Sequence, residues 1–501
     1  MRYDEFPARI AEVAMWLIDH QMNMRVSEEF GQYFVRLPLK KSATILNDNA
    51  LRTDWGSIVP KNELNYILGN PPFYGYSLQT KEQKEDMKLT FDRVRGAGVL
   101  DYVAAWYLKA SQYIQETNII CAFVSTNSIS QGEQVGILWN ELFTKYKVKI
   151  HFAHRTFSWK NEAKGNAAVH VIIIGFGLKD ISKKKLYDYE DIKGEPQEIS
   201  VKNINPYLIE GNNILVEKKT KPICLVPKMN KGSQPTDGGN LLFTNEEKNE
   251  FIKIEPLAEK WIKPFISARE YLNNKKRWCL WLKGISPNEL KKMPNVLKRI
   301  EEVKKMRLSS KKEATRKWAD FPYLFSEDRQ PNTNYILVPS HSSENRKYIP
   351  FGFFTKEDIL NNSCFSIPDG NLYYFGIIAS QMHMTWVKYT CGRIKSDFRY
   401  SNKLVYNNYP FPKEPSAKNK EKVETAAQKV LDTRANYPES SLADLYDPLT
   451  MPPDLVKAHQ QLDKAVDLCY RPNAFTNERN RIEFLFELYE QYTMPLIKKG
   501  K

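Results

Sequence analysis

The sequence predicts an α/β protein whose N-terminal part contains a mostly parallel sheet. Residues 1–180 alternate segments of helical and strand character, and their longest apolar runs, such as Val169–Phe176, have the length of strands. Strands separated by helices favour parallel pairing, because each crossover returns the chain to the same end of the sheet. The chain of 501 residues is too long for one hydrophobic core. We therefore expect further domains after this one.

The elements of the first part follow from residue spacing. Apolar residues at helical spacing follow Pro7, which predicts a helix with proline in its first turn. A second helix is predicted over residues 100–114. The predicted strands cover residues 44–46, 64–68, 119–125, 148–152 and 169–176.

The texture of the sequence changes after about residue 180. Lysine runs and a stretch rich in Gly, Pro and Ser at residues 231–240 indicate exposed connections. Short aromatic strands and basic helices are expected up to a proline-rich boundary at residues 410–415, and helices after it. These changes predict an α/β domain over residues 1–215, a mixed α+β domain over 216–412 and a helical region over 413–501.

Composition excludes several classes of protein. The 42% hydrophobic and 12% aromatic content excludes a disordered chain, and no apolar run is long enough to span a membrane. The six cysteines form no C-x-x-C pair, so a zinc cluster or disulfide framework is disfavoured and reduced, cytoplasmic thiols are expected. The histidines have no partners at metal-ligand spacing, and we expect no metal site.

Positive charge is concentrated in one segment. The net charge is +15, and residues 291–317 contain eleven Lys and Arg against three Glu. Apolar residues at helical spacing (Val296, Leu297, Ile300 and Val303) predict a basic amphipathic helix. The helix is either a solvated surface or a contact to nucleic-acid phosphates, where neutralisation releases counterions.

One tetrapeptide has the chemistry of amine methylation. Asn70, Pro71, Pro72 and Phe73 directly follow a predicted strand, and ligands in open α/β sheets bind beyond the carboxyl ends of strands. The Asn70 side-chain oxygen and the rigidly held Pro71 carbonyl can each accept one N–H bond from an exocyclic amine. Phe73 offers a flat face for an extruded base. The alternative interpretation is an ordinary turn after a strand.

The sequence resembles adenine-N6 DNA methyltransferases of the class I, S-adenosylmethionine-dependent fold. More narrowly, it resembles the C-terminal part of fused type II restriction-modification enzymes of the IIG and IIL kinds. Besides the tetrapeptide, the resembling stretches are residues 4–17, 100–107, 125–134, 154–159, 391–397 and 406–410. The resemblance implies a Rossmann-like methyltransferase sheet, a target-recognition domain and a C-terminal helical segment.

The resemblance also implies roles for individual residues. Asn70, Pro71, Pro72 and Phe73 match the catalytic motif. Asp48 and Asn49 match the segment that contacts the cofactor, S-adenosylmethionine, and Asn70 is counted with them. Phe157 matches the aromatic residue on the other face of the flipped base, and it is preferred to Trp159. Asp101 and Tyr102 match residues that hold the helix and the pocket rather than react. Double-stranded DNA is the expected partner, and the residues expected to contact it are Lys291, Lys292, Lys298, Arg299, Lys304, Lys305, Arg393 and Lys395.

The pattern departs from the family at its start. No glycine-rich loop after a first strand precedes residue 44, and Arg2 aligns where an acidic residue should grip the cofactor ribose. The methyltransferase sheet is therefore expected to be N-terminally incomplete, with a separate upstream polypeptide supplying the first strand. Two functions remain open: a site-specific adenine methyltransferase of a restriction-modification or phage-defence system, and a non-catalytic DNA-recognition subunit or truncated remnant. An RNA or protein amine methyltransferase is a third possibility.

Two other activities are disfavoured. Cytosine-C5 methylation needs a cysteine nucleophile, which in that class follows a proline, and the chain has no Pro-Cys dipeptide. The E-x-K sequence Glu162-Ala163-Lys164 has the form of a nuclease site, but no Pro-Asp pair stands upstream of it.

Overall fold

The computed structural model describes residues 5–31, 44–159, 169–394 and 396–498. Lys395 and the E-x-K sequence of residues 162–164 lie outside the described residues, as do Arg2 and residues 32–43. The chain divides into two compact units. The first comprises residues 1–129 and 137–204, and the second comprises residues 130–136 and 205–501.

The first unit is built on a six-stranded mixed sheet. Its strands are β1 (Tyr66–Gly69), β2 (Ile120–Thr126), β3 (Lys149–Trp159), β4 (Val169–Gly177), β5 (Lys184–Asp188) and β6 (Gln197–Val201). The spatial order is β1-β2-β4-β3-β5-β6. β1 pairs with β2, and β3 with β5, in parallel, whereas β4 runs antiparallel to both of its neighbours. The α/β class is confirmed, and the insertion of β4 makes the sheet mixed.

The helices of this unit are α1 (Glu5–Phe30), α2 (Lys81–Thr90), α3 (Ala104–Tyr113) and α4 (Glu133–Thr144). Ala104 and Ala105, at the start of α3, are fully buried, and their small side chains let the helix approach its neighbours closely. The Tyr107 ring on α3 stacks on Phe176 of β4 at 5.4 Å, and its hydroxyl lies 2.6 Å from the Ser125 hydroxyl. This packing ties α3 to the strands that lead into the candidate site.

The predicted helices and strands of this unit are found, with one exception. Residues 44–46 form no strand and lie in irregular structure. The predicted strand is wrong: residues 44–46 join none of the described sheets, although the outer edge of β1 is open in the described sheet. Helix α1 is also found, and none of its described residues is buried.

The second unit contains three small sheets. Their strands are β7 (Asn230–Lys231), β8 (Leu242–Phe243), β9 (Ile262–Ile266), β10 (Trp278–Leu280), β11 (Tyr335–Pro339), β12 (His341–Ser342), β13 (Gly352–Phe354), β14 (Ile359–Leu360), β15 (Cys364–Pro368), β16 (Gly392–Ile394) and β17 (Asp397–Arg399). The spatial orders are β14-β9-β10-β8, β13-β11-β15-β7 and β12-β17-β16. The first sheet packs Phe243, Phe265 and Cys279 into a core that it shares with Val296, Ile300 and Val303.

Helices interrupt and follow these sheets. They are α5 (Asn245–Ile254), α6 (Ala268–Leu272), α7 (Pro287–Leu290), α8 (Pro294–Leu308), α9 (Glu313–Lys317), α10 (Leu372–Ile378), α11 (Gln381–Thr390), α12 (Ala417–Ala435), α13 (Leu442–Leu445), α14 (Pro453–Tyr470) and α15 (Glu478–Lys498). α10 packs on α12 and α14 at Gly376, where an added Cβ would lie 2.5 Å from the Val423 side chain. The helical C-terminal region is confirmed.

The predicted basic helix over residues 291–317 is broken into α8 and α9. Arg307, near the end of α8, points inward and is fully buried, and its guanidinium donates to five backbone carbonyls. Those carbonyls belong to Pro235, Thr236, Trp318, Phe321 and Leu324. The five N–H donors of this guanidinium therefore hold α8 to residues 235–236 and to the segment that follows α9.

Candidate active site

The ends of four strands meet at one edge of the first unit's sheet. β1 and β2 are parallel, β4 is antiparallel to both β2 and β3, and β5 is parallel to β3. The carboxyl ends of β1, β2, β3 and β5 therefore lie at the same edge. That edge carries the tetrapeptide after Gly69, the loop after Thr126, and the aromatic residues Phe157 and Tyr189.

The tetrapeptide presents an accessible amide beside a fixed backbone. Gly69 pairs with Phe123 in the sheet, and a Cβ on Gly69 would lie 3.2 Å from the Phe123 ring. Asn70 is exposed, and within the described part of the chain its amide makes no hydrogen bond. Pro71 is buried, and Pro72 and Phe73 are half-buried. The Asn70 side chain is thus free to bond a ligand, while the Pro71 backbone is held.

The residue after the tetrapeptide is anchored by a buried carboxylate. Asp101, just before α3, accepts the backbone N–H of Tyr74 at 3.1 Å and that of Val103 at 3.2 Å. Burial raises the pKa of Asp101, and the bonds from the Val103 and Tyr74 amides partly oppose that rise.

A β-bulge and an aromatic stack orient Phe157. The register of β3 against β4 shifts between His154 and Phe157, so β3 has one extra residue there. The Phe157 ring stacks on Tyr189 with 5.1 Å between centroids and 17° between planes. The Tyr189 hydroxyl lies 2.8 Å from His154 Nδ1, and burial lowers the pKa of His154. Nothing in the spacing of the sequence links Tyr189 to Phe157, and sequence reasoning missed this partner.

Asp48 and Asn49 form a hydrogen-bonded turn. The Asp48 carboxylate is exposed and accepts from the Asn49 N–H at 2.7 Å and from the Thr53 hydroxyl at 2.9 Å. The Asn49 side chain accepts from the Leu51 N–H at 2.9 Å and donates to Asp86 at 3.1 Å. Burial opposes ionisation of Asp86, but bonds from Tyr102, Arg52 and Asn49 outweigh it and lower its pKa. The turn is therefore tied to α2.

A cavity of about 660 Å³ lies beside this turn. Leu51 and Arg52 line it, together with Asp86 of α2, Lys109 of α3 and Tyr146, which follows α4. The tetrapeptide residues do not line the cavity, and neither does Phe157. Its cations are already engaged: Arg52 bonds Asp86 at 2.6 Å, and Lys109 donates to the carbonyls of Leu51 and Thr53.

The residues predicted to contact DNA have several environments. Lys291, Lys292, Lys298, Lys304 and Lys305 are exposed, and Lys305 pairs with Glu302 at 2.7 Å. Arg299 instead turns inward, donates to the carbonyls of Asn240 and Leu242, and lies over the Phe243 ring at 4.2 Å. We therefore assign Arg299 to the core of its unit.

Arg393 lies on β16 and is largely enclosed. Its guanidinium lies 3.8 Å from the centroid of the Phe398 ring and donates to the Ser396 carbonyl at 2.7 Å. Burial lowers the pKa of Arg393. The side chain thus supports the pairing of β16 with β17, and Lys395 lies outside the described residues.

Three family profiles match consecutive segments of the chain. They are the MmeI DNA-methyltransferase domain over residues 1–188, the MmeI target recognition domain over 210–413 and the MmeI C-terminal domain over 415–497. The chain carries these three MmeI-type domains in this order. The resemblance to the type II fused enzymes is confirmed by this order of domains.

Individual relatives agree with the MmeI assignment. The chain is 42% identical over 495 residues to DNA methyltransferase A of Bacillus subtilis (strain 168), which covers 98% of this chain and 55% of the relative. A structure of the type IIL restriction-modification enzyme MmeI in complex with DNA matches with a TM-score of 0.82 and 51% identity. That match covers 98% of this chain and 65% of the solved one. The chain therefore spans little more than half the length of its curated relative.

Proposed function

We propose that this chain is the catalytic and DNA-recognition part of a site-specific DNA methyltransferase. It transfers a methyl group to adenine N6 in duplex DNA, within a restriction-modification or phage-defence system, and it works in the cytoplasm, where that DNA is. Among the described residues, no helix combines the length and apolarity needed to cross a membrane. The observation that carries the proposal is the exposed Asn70 amide beside the buried Pro71 at the carboxyl edge of the sheet.

The chemistry of the tetrapeptide suits an exocyclic amine. The lone pair of adenine N6 is delocalised into the ring and attacks poorly. Two acceptors, the Asn70 side-chain oxygen and the Pro71 carbonyl, draw the two N–H bonds out of the ring plane and localise the lone pair. Their placement before the reaction lowers the barrier, because the protein does not reorganise when the charge develops.

Two aromatic rings are proposed to hold the flipped base. Phe73 is half-buried next to Pro72, and Phe157 is fixed by its stack on Tyr189. Base–aromatic stacking contributes about 1–3 kcal/mol for each base. This amount offsets much of the cost of removing the base from the duplex, which is a few kcal/mol.

The turn at Asp48 and Asn49 fits a role in binding S-adenosylmethionine. A carboxylate has about four acceptor sites, and exposed Asp48 uses two of them for the Asn49 N–H and the Thr53 hydroxyl. The remaining sites suit the hydroxyl or amine donors of an adenosine group. S-adenosylmethionine supplies an electrophilic methyl group when bound, and Asp48, Asn49 and Asn70 are the residues proposed to hold it.

DNA recognition is proposed for residues 216–412, with residues 1–215 as the catalytic domain and 413–501 as a helical support. Exposed lysines before and along α8 supply positive charge, and phosphate contacts of this kind set position and affinity rather than sequence. Arg393 and Lys395 are proposed to contact DNA as well.

Replacing Asn70 tests the proposal. We expect N70A to lose methyl transfer from labelled S-adenosylmethionine to DNA while keeping wild-type DNA binding, because Asn70 is proposed to contact the target amine and the cofactor and not the phosphates that dominate DNA affinity. The full-length protein is assayed on DNA, RNA and protein, and the product nucleoside is identified by mass spectrometry. S111A serves as the control, since Ser111 is buried in α3 and its hydroxyl donates to the Tyr107 carbonyl of the same helix. Wild-type activity in N70A refutes the role, as does label in RNA or protein instead of DNA.

An exposed apolar surface favours a second candidate, a recognition subunit that needs an upstream polypeptide for cofactor binding. Tyr66 and Leu68 on the edge strand β1 are 64% and 75% exposed, and apolar residues of α1 such as Phe6 and Leu17 are exposed as well. Calorimetry with S-adenosylmethionine distinguishes the candidates. Binding by the chain alone supports the enzyme, and binding only after the preceding polypeptide is added supports the subunit.

A further inference from the structure

The backbone of Tyr74 is clamped on both sides. Its N–H donates to Asp101 Oδ1 at 3.1 Å. Its carbonyl accepts from the Tyr102 N–H at 2.9 Å and from the Gln79 side chain at 3.0 Å. Gln79 is buried and also donates to the Leu100 carbonyl at 3.0 Å. The residue that directly follows the tetrapeptide is therefore fixed to the segment that opens α3.

Asp101 also reaches the neighbouring loop. Its second carboxylate oxygen lies 3.4 Å from the Thr126 hydroxyl and 3.5 Å from the Ser128 hydroxyl, both at the end of β2. Only 5% of the Asp101 surface is exposed. One carboxylate thus joins three pieces of backbone: the loop after β1, the start of α3 and the loop after β2.

The geometry points to Asp101 as the positioning residue of the methyl-transfer site, acting on the tetrapeptide through Tyr74. This inference rests on the proposed function. The tetrapeptide has one anchor at Gly69, which pairs with Phe123, and the Asn70 side chain has none in the described structure. Its second anchor is Tyr74, so Asp101 sets where the Pro71 carbonyl and the Phe73 ring stand. A displacement of about 1 Å in such groups can cost ~10²-fold in rate.

The pH dependence of unfolding distinguishes the titration of Asp101 from its hydrogen bonds. Its pKa is raised by burial, so the native state binds its proton more tightly than the unfolded state does. The associated stability is present at low pH and is lost as the pH rises through the native pKa. Above the native pKa this contribution is absent, so the shift does not stabilise the fold there.

The conservative variant D101N keeps the clamp. Its amide oxygen can accept the Tyr74 N–H, and its NH₂ can donate to the Thr126 and Ser128 hydroxyls, which also accept. D101N removes the titratable group, so the pH dependence of unfolding that Asp101 contributes should be absent in this variant. D101A removes the acceptor altogether and leaves the Tyr74 N–H without it.

The test compares wild type, D101A, D101N and the control S111A in the full-length protein. We expect D101A to lower kcat for methyl transfer by about 10²-fold while the KM for S-adenosylmethionine and the Kd for DNA stay near wild type. We expect D101N to regain most of that kcat and S111A to match wild type. Hydrogen exchange of a peptide covering residues 70–78 gives a readout without activity, and it should be faster in D101A than in D101N.

Each outcome decides between the possibilities. A wild-type kcat in D101A, or unchanged exchange over residues 70–78, overturns the positioning role. A loss of kcat in D101A that D101N does not reverse, or one that follows the folded fraction, also overturns it, because the carboxylate would then act through charge or stability. Absence of methyl transfer by the wild-type protein, both alone and with the preceding polypeptide added, refutes the proposed function itself, and the exchange measurement still tests the clamp.

Discussion

At the scale of single residues, the stack of Phe157 on Tyr189 prepares one wall of the proposed base pocket. A ring fixed before the base arrives loses less entropy on binding than a mobile ring. The His154 side chain extends this arrangement, since it lies 2.8 Å from the Tyr189 hydroxyl and stacks on Tyr187 at 4.2 Å. Phe157 therefore has a supported rear face.

Replacing Phe157 measures how much this wall of the pocket contributes to methyl transfer. We expect F157A to lower kcat/KM for methyl transfer by roughly 5- to 150-fold, the equivalent of ~1–3 kcal/mol of base stacking. Y189A should lower it less, because Phe157 remains but loses its support, and Y189F should retain the stack. W159A is the comparison, since Trp159 is the other aromatic residue of the segment and tilts against Phe157 at 6.0 Å. A larger loss in W159A than in F157A would reassign the wall to Trp159.

Individual residues also show what the sequence could not reveal. Arg299 and Arg307 lie in a segment with the composition of a phosphate-binding helix. The guanidinium group of each nevertheless donates to backbone carbonyls. Charge periodicity cannot separate them from Lys298 or Lys304, because the carbonyls they bind include ones from residues about 60 and 70 positions earlier. The tetrapeptide was recognisable because its chemistry lies in four adjacent residues.

At the scale of elements, α8 carries its free charge mainly toward its C-terminal end. Lys304 and Lys305 are exposed in its last turns, and Lys305 pairs with Glu302 at 2.7 Å. Exposed cations near a helix C-terminus also interact favourably with the helix dipole. The surface offered to phosphates is thus the end of the helix rather than its whole face.

Neutralising this end tests its role. We expect K304Q/K305Q to weaken DNA binding and to reduce the slope of log K against log salt by about 1 for each phosphate that the helix no longer neutralises. K457Q/K464Q, which removes two lysines of α14, is the matched control and should leave the slope unchanged. R299Q should instead lower the unfolding midpoint, because it leaves buried carbonyls without a donor. An equal slope in K304Q/K305Q and wild type would remove α8 from the interface.

Elements were predictable where one segment determines its own structure. The helical spacing after Pro7 and over residues 100–114, and the apolar run of β4, each correspond to a described element. Whether residues 44–46 form a strand, and in which direction β4 runs, depends on which segments pair. The sequence of neither segment specifies its partner. The bulge before Phe157 likewise arises from register between β3 and β4.

At the scale of the whole molecule, the first unit leaves apolar surface that its own described residues do not cover. A strand in a parallel pair is normally covered on both faces, and an exposed apolar edge invites another strand. β1 stands at the edge of the described sheet with Tyr66 and Leu68 exposed, and α1 buries none of its described residues. Under the second candidate function, a preceding polypeptide pairs with β1 and completes the cofactor site beside Asp48 and Asn49.

A charged residue on that edge should block completion without unfolding the chain. We expect L68K to keep its circular dichroism spectrum and unfolding midpoint, because Leu68 is 75% exposed, but to lose the S-adenosylmethionine binding that the preceding polypeptide confers. L449K is the matched control, since Leu449 is 92% exposed in the second unit. Calorimetry of each variant, with and without the added polypeptide, gives the comparison. Equal binding by L68K and L449K would show that the β1 edge is not where the cofactor site is completed, and strong binding by the chain alone would show that no completion is needed.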